Sequence, residues 1–372
     1  MKLASIILRS RQAPTWSVVI VLLASFSFGS AVLADDDDQS EATVRVMTQN
    51  LFMGTDFPEL VAARTPEEFF QAVTTTYNNV LATKPAERMA AIAREIARLQ
   101  PDLVGLQEAA ILRTGPLSAQ STPGATNVVF DMLHILLREL DQRGQHYVAV
   151  AILSGLDAEA PSTLGFNVRF TVQDVILART DRRADALRLS NVHTQLYQKQ
   201  LTVQTAVGPS TNPAGWASVD VQGRGWQFRF VTTHLALAPD FDPTVPLAQA
   251  KELRETAGNT DLPLVCVGDF NSIASDRKNP TFKTYKSFID AGFVDTWRQT
   301  HDDDPGFTCC QSPDVRNAKS SLSVRIDLIL FQGNIDIVNA DLVGDQQADR
   351  TPSGLWPSDH AGVTATLHFD KE

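Results

Sequence analysis

Cysteine is scarce in this sequence. Three occur in 372 residues, and none has the paired spacing of a zinc site. At most one internal disulfide can therefore form, and only in an oxidising compartment. Cys266 lies in an apolar run and reads as a small core residue. Cys309 and Cys310 are neighbours, and the sequence leaves open whether they pair with each other, with Cys266 or not at all. Clustered positive charge is missing too. Lys and Arg number 32 against 43 Asp and Glu, the net charge is −11, and no run of lysines or arginines could track a nucleic-acid backbone. Such a chain has no global attraction for nucleic acid or an anionic lipid surface. Internal repeats are absent, as is any linker that would divide residues 42–372, so that span is expected to fold as one domain.

What the sequence does have is 43% hydrophobic content, ample for a large core. Residues 1–34 stand apart from that core. Lys2, Arg9 and Arg11 precede an apolar run from Trp16 to Leu33, and Val32-Leu-Ala34 offers small residues where a signal peptidase cuts. The segment reads as a secretory signal peptide, with export to the periplasm or medium as the expectation. An uncleaved membrane anchor is the alternative, since the run nears spanning length. Cleavage removes three positive charges and no acidic ones, taking the net charge from −11 to −14. It leaves residues 35–41, led by Asp35 to Asp38, as an acidic segment that gains little from ordering.

Along the remaining chain, apolar patterning alternates between strand and helix periods. Val44 to Leu51 alternates as a half-buried strand ending near Asn50. Thr65-Pro-Glu-Glu68 carries a cap hydroxyl, a first-turn proline and a third-position glutamate, which start a helix running to about Leu81. A second helix from Pro85 to Pro101 places Met89, Ile92, Ile96 and Leu99 on one face, with arginines and glutamates on the other. Asp102 to Glu108 reads as a strand, Val128 to Leu140 as a helix, Tyr147 to Leu153 and Val172 to Leu177 as strands, and Leu187 to Gln204 as a hairpin. Trp226 to His234 alternates and ends on histidine. Short helices are expected at Pro246–Thr256 and Thr281–Ala291. Strands are expected at Val324–Phe331, with Asp327 inside, and at Val363–Phe369. The pattern implies an α/β domain of two packed sheets with helices outside.

The most informative stretch is Leu262 to Ser272. Leu264, Val265 and Val267 form a doubly buried strand, and Asp269 and Asn271 leave its end at period two, so that both side chains can converge on one point. Alone, Asp-Phe-Asn is an ordinary turn. However, Asn50, Glu108, His234, Asp359 and His360 also fall at predicted strand ends or in the loops joining them, and Asp327 sits in an apolar strand. Several such placements from separate segments suggest one polar cluster at an edge of the sheets.

The motifs Thr48-Gln-Asn-Leu, Leu106-Gln-Glu, Thr232-Thr-His-Leu, Gly268-Asp-Phe-Asn, Arg325-Ile-Asp and Ser358-Asp-His occur in this order. Each is weak alone, but the ordered set is specific, and it resembles the endonuclease/exonuclease/phosphatase superfamily over residues 44–369. That resemblance implies a four-layer α/β sandwich, two mixed β-sheets face to face with helices outside, and a divalent metal at the upper edge, usually Mg2+, with Mn2+ as a substitute.

Physical reasoning agrees with the resemblance. A phosphodiester is anionic, so its hydrolysis needs charge neutralisation and an activated water attacking in line. Glu108 is expected as a metal ligand with Asn50 beside it, because a hard cation prefers oxygen donors. Asp269 would orient or deprotonate the water, and Asn271 would hydrogen-bond a phosphoryl oxygen. His360, fixed by Asp327, would donate to the phosphate. His234 would protonate the leaving oxygen or bind the phosphate. Asp359 would ligate the metal or steady one of its ligands. Asp174 departs from the family pattern: it orients His234, approaches the metal or is a surface acid. A pairing of Asp327 with Arg325 is a purely structural alternative.

The expected activity is that of an exported, metal-dependent phosphodiesterase, acting as a monomer on a phospholipid head group or small diester. A secreted nuclease is the alternative. A third class, a scaffold without catalysis, would have lost Glu108, Asp269 or His360, and all are present. Gly354-Leu-Trp-Pro357, just before Asp359, is expected to put apolar bulk near the site, where it makes peripheral membrane contact, stacks a base or simply fills the loop.

Overall fold

A computed structural model describes residues 42–117, 124–180, 187–237 and 242–370. The proposed signal peptide and acidic segment lie outside the described residues. Strand β1 (Thr43–Asn50) is followed by helices α1 (Pro58–Ala62), α2 (Pro66–Ala82) and α3 (Pro85–Leu99). Next come β2 (Leu103–Pro116), β3 (Asn127–Asp131), α4 (Met132–Asp141), β4 (Tyr147–Pro161) and β5 (Phe166–Arg179). The chain continues through β6 (Arg188–Leu196), β7 (Leu201–Thr205), β8 (Gly208–Asn212), β9 (Gly215–Gln222), β10 (Gln227–His234) and α5 (Thr244–Glu255). It closes with β11 (Leu264–Asp269), α6 (Phe282–Asp290), β12 (Val294–Asp295), α7 (Thr296–Thr300), β13 (Asp327–Gln332), β14 (Ile335–Val343) and β15 (Gly362–Phe369).

Two sheets carry the fold. One has the order β14-β15-β1-β2-β5-β4, with β3 also paired to β2, and the other has the order β12-β13-β11-β10-β9-β6. Each contains one parallel pair, β1 with β2 and β10 with β11, among antiparallel neighbours, so both are mixed. Val44, Val46, Ile176 and Leu367 of the first sheet share one buried cluster with Val219, Phe230, Val267 and Ile329 of the second, which stacks the sheets face to face. On the far side of the first sheet, Met47, Leu106 and Val175 pack with Val73, Ile92 and Leu136 of α2, α3 and α4. On the far side of the second, Val231, Cys266 and Leu330 pack with Leu253 and Phe288 of α5 and α6. The result is the four-layer α/β sandwich expected, helix, sheet, sheet, helix.

Several elements follow from local chemistry as read. The Thr65 hydroxyl accepts from the Glu68 N–H at 3.2 Å, and Pro66 opens α2. Helix α3 ends where Gln100 turns left-handed ahead of Pro101. Other elements differ from the expectation. β1 is central, between β15 and β2, and is buried on both faces rather than one. Val128 to Phe130 form β3, not a helix: two β-branched residues favour the sheet, and the Asp131 side chain then caps α4 through the His134 N–H. The strands in Leu187–Gln204 do not pair as a hairpin, because β6 pairs β9 while β7 pairs β8. Asp327 begins β13 rather than lying inside a strand. The face of α3 expected to be solvated also fails for two residues, since Arg88 and Glu95 are both buried.

Candidate active site

The register of the second sheet brings three of the proposed groups side by side. Asp269 is opposite His234 across the parallel β10–β11 pair and opposite Asp327 across the antiparallel β11–β13 pair. Gly268 makes this close approach possible: at φ +147° it takes a conformation that L side chains rarely adopt, and a Cβ there would collide with the Thr233 carbonyl oxygen. Beyond Asp269 the chain turns sharply at Asn271, whose φ is 46°. The Asn271 N–H donates to Asp269 Oδ1 at 2.8 Å and fixes the carboxylate.

The first sheet contributes Asn50 and Glu108. Glu108 does not end its strand as expected. It sits within the 14-residue β2 at a bulge, where the register against β5 slips between Leu106 and Ala109, and its own φ is 59°. A bulge re-aims a side chain that regular alternation would send elsewhere. The carboxylate accepts from the Asn50 amide at 3.1 Å and the Met53 N–H at 2.9 Å. The Asn50 amide also donates to Asp269 Oδ2 at 3.2 Å, joining the edges of the two sheets. Deeper in, Gln107 makes a parallel link: it accepts from Thr48 and donates to Thr232 at 2.9 Å.

Asp359 and His360 arrive on the loop before β15. His360 Nδ1 lies 2.8 Å from Asp327 Oδ2, while Nε2 is 3.9 Å from both Asp269 and Asp359 carboxylate oxygens. His234 Nε2 lies 3.5 Å from Asp269 Oδ2 and 3.1 Å from the Asn271 amide nitrogen. Asp174 is buried and accepts from the Glu108 backbone, within electrostatic reach of His234, so it is not a surface acid. Asp327 does not pair with Arg325. That guanidinium instead meets Asp295 at 2.9 Å, which leaves Asp327 to the histidine.

Charges in this cluster perturb one another strongly. Burial pushes the Asp359 carboxyl up to about 7, with Glu108 and Asp56 adding to the rise against His360 and Arg88. Burial likewise takes Asp174 up to about 6. Asp269 is raised by burial and by Asp327. Burial lowers both imidazoliums, but the carboxylates outweigh it: Asp327 and Asp359 hold His360 well above its usual value, and Asp269 and Asp174 raise His234. The Asn271 amide nitrogen facing Nε2 suits a neutral His234 ring, while the carboxylates suit a charged one. A ring placed between two such demands is fitted to exchange a proton.

The sequence reading missed two participants. Asp56, in the loop after β1, borders the same cavity; its residue is exposed, and crowding that strips part of its water, together with the Glu108 charge, pushes its carboxyl above the usual value. Nothing marked it among ordinary loop acids. Arg88 is fully buried and donates to the carbonyls of Leu51 at 2.7 Å, Phe52 at 2.8 Å, Thr83 at 3.1 Å and Pro357 at 3.1 Å. It thereby ties the turn after Asn50 to the loop before Asp359. A signal for it was present, because Arg88 lies on the stripe of Ile92 and Leu99 at i, i+4 and i+11.

At Gly354–Pro357 the apolar side chains fill the loop, the third of the expected roles. Leu355 and Trp356 are wholly buried with Phe52 and Val315, and the indole N–H donates to the Asn317 carbonyl at 2.9 Å. Neither side chain is available to a membrane or a base. The apolar surface near the site lies elsewhere, in a cavity of about 660 Å³ that holds His234, Asp269, Asn271, Asp359 and His360 at one part of its wall. The rest of its wall includes Met53, Phe57, Tyr77, Leu112, Phe170 and Leu201.

The donor set fits a hard divalent cation. Four carboxylates, Asp56, Glu108, Asp269 and Asp359, border one cavity; Glu108 and Asp269 raise the proton affinity of Asp56, and Glu108 and Asp56 raise that of Asp359, so a cation would relieve this repulsion. Asp269, Asp327 and His360 also present ligand atoms within 4.8 Å of one another.

Fold and site together define an α/β protein with a carboxylate–histidine cluster at the joined edges of two stacked sheets. Residues 47–360 match the Endonuclease/Exonuclease/phosphatase family, and the chain belongs to it. Members of that family are hydrolases acting on phosphoester bonds, generally with a divalent metal. No curated protein matches the sequence. Among solved structures it is similar to a mannosyl-6-phosphatase of Bacteroides thetaiotaomicron, at 16% identity and TM-score 0.53, with 88% of this chain and all of that one covered. A second protein from that organism, described as an endonuclease/exonuclease/phosphatase family protein, gives 17% identity and TM-score 0.54 over 88% and 95% of the chains. D. rerio TDP2 complexed with a single-strand DNA product gives 15% and 0.51 over 88% and 99%. At these identities the likeness is one of fold.

Proposed function

We propose that this protein is an exported, metal-dependent phosphodiesterase whose substrate is a small or lipid-like diester with one apolar arm. The observation that carries the reading is the cavity, in which the polar cluster and a broad apolar wall are continuous. A diester would place its phosphate among His234, Asp269, Asn271 and His360, and its apolar part against Phe57, Leu112 and Phe170. A Mg2+ or Mn2+ ion held by Glu108 and Asp359, with Asn50 beside them, would supply charge neutralisation at the phosphoryl oxygens. Asp269, fixed by the Asn271 and Asn50 N–H groups, orients and deprotonates the attacking water. His360, held in its tautomer by Asp327, donates to a phosphoryl oxygen as charge develops. His234 returns a proton to the leaving oxygen, and buried Asp174 steadies its charge.

The test is a panel of initial rates with Mg2+ on sphingomyelin micelles, an activated aryl phosphodiester, plasmid DNA and RNA. Hydrolysis of the first two, abolished by chelation and restored by Mg2+ or Mn2+, is the expected outcome. Efficient plasmid nicking with both diesters untouched would make the protein a nuclease instead. Activity that survives exhaustive chelation would reject the metal role of Glu108.

A further inference from the structure

Beside the oxygen-lined cluster, sulfur meets the same histidine. The two sulfurs of Cys309 and Cys310 and a ring nitrogen of His360 all lie within 4.8 Å of one another. The backbone builds this arrangement. Cys309 forms antiparallel bridges with both Val324 and His360. The Ala361 N–H donates to the Thr308 carbonyl at 2.7 Å, and the Gln311 N–H donates to the Asp359 carbonyl at 2.8 Å. The Thr308 hydroxyl accepts from the Ile326 and Asp327 N–H groups, at 3.1 Å each. The cysteine segment is thus laced to both chains that carry the His360–Asp327 pair. Both cysteines border the cavity, Cys309 buried and Cys310 exposed, and in this structure they are joined as a disulfide.

We infer that, once this disulfide is reduced, Cys309, Cys310 and His360 form a site for one thiophilic divalent cation of the zinc or cadmium class, and that its occupancy silences hydrolysis. Reduction delivers two electrons and two protons to the sulfurs. With a trialkylphosphine as reductant, phosphorus takes the oxygen of one water and the sulfurs take its two hydrogens. The cation then releases both thiol protons to solvent and is held by two thiolates and one imidazole nitrogen, with water completing a tetrahedral set. Thiolate donors favour zinc and cadmium over Mg2+, so this site does not compete for the ion of the oxygen-lined cluster. A ring nitrogen whose lone pair is given to a metal cannot also hold a proton for the phosphate. The silencing rests on the role given to His360 above, whereas cation binding does not.

The experiment reads binding and hydrolysis separately. The protein is reduced with a trialkylphosphine, freed of it without air, and titrated with cadmium in excess Mg2+, following the ultraviolet absorption of cadmium thiolates. One cadmium per chain is expected in the reduced form and none in the disulfide form. His360→Ala should weaken the affinity by at least about tenfold, and Cys310→Ser, a change at an exposed position, by more. Cadmium should stop hydrolysis of the activated diester by reduced wild type but not by Cys310→Ser. Equal binding in the oxidised form, or undiminished binding by Cys310→Ser, overturns the site. Full hydrolysis by the cadmium-loaded protein overturns the silencing. The titration still decides the site if the protein hydrolyses no diester at all.

Discussion

At His360, burial and charge act in opposite directions. Burial alone would strip the proton from this ring, and Asp327, Asp359 and Asp269 hold it there, so the imidazolium persists well above the usual histidine pKa. The protonated donor is therefore present at neutral pH and is lost as pH rises through the folded-state value. Asp327→Asn removes the nearest negative charge while keeping the shape. The alkaline limb of the pH–rate profile should then move down, and the melting temperature at neutral pH should fall, because the buried imidazolium loses its nearest counter-charge. An unmoved limb would show that another group sets it. Asp269→Asn and His360→Ala should each lower the rate on any accepted diester by at least about a hundredfold while the protein stays folded. A rate within about threefold of wild type would contradict those roles. Cys266 behaves in the opposite sense, because burial pushes its thiol up to about 12. Iodoacetamide at mildly alkaline pH should leave it unmodified in the native protein and alkylate it once denatured, as peptide mass mapping would show.

Helix α3 shows how far the elements were legible. Its apolar stripe and its end before Pro101 could be read because periodicity and proline geometry act locally. The position of Arg88 on that stripe hinted at its burial, but its partners could not be read, since only the fold brings the carbonyls of Leu51, Phe52 and Pro357 to that guanidinium. The same limit explains Glu108, whose aim depends on a register slip between β2 and β5, and Trp356, whose burial depends on Phe52 and Val315 arriving from elsewhere. The strand-end residues of β1, β10 and β11 were readable because period-two alternation fixes where a strand stops and which side its last groups face. Arg88 also carries a prediction. Burial lowers its pKa to about 10, a value at which it remains charged at neutral pH, opposite Asp359 and Glu108. Arg88→Met would strand several buried carbonyls and should cost on the order of 3 kcal/mol, with a clear fall in melting temperature. Because Arg88, alongside the Ser358 hydroxyl that donates to the Asn50 carbonyl, ties the turn after Asn50 to the loop before Asp359, the rate should fall too, by more than the folded fraction accounts for. A rate that follows the folded fraction alone would make Arg88 a stabilising residue without influence on the site.

For the molecule as a whole, charge and cavity bear on the substrate in the same direction. A chain of net charge −11, or −14 after the proposed cleavage, offers a polyanion no long-range attraction, and a nucleic acid would have to be held by local groups alone. Arg113, beyond Glu108 on β2, is partly buried and donates to the Thr171 hydroxyl at 2.7 Å. A small or lipid-like diester needs only one phosphate position and an apolar wall, and the cavity joins the two. The two substrates differ in their response to salt. Binding that depends on several phosphate contacts falls by about a thousandfold or more between about 50 and 200 mM salt, because counterions are released, whereas a single buried phosphate is held at short range and is screened far less. The specificity constant for sphingomyelin or the activated diester should therefore change by less than about threefold over that range. Phe170→Leu, a trim of the apolar wall that keeps the core apolar, should raise KM for the lipid-like diester while leaving kcat on a short dimethyl-type diester nearly unchanged. Plasmid cleavage with a steep inverse salt dependence, unaffected by Phe170→Leu, would instead assign the cavity wall to packing and the active site to nucleic acid.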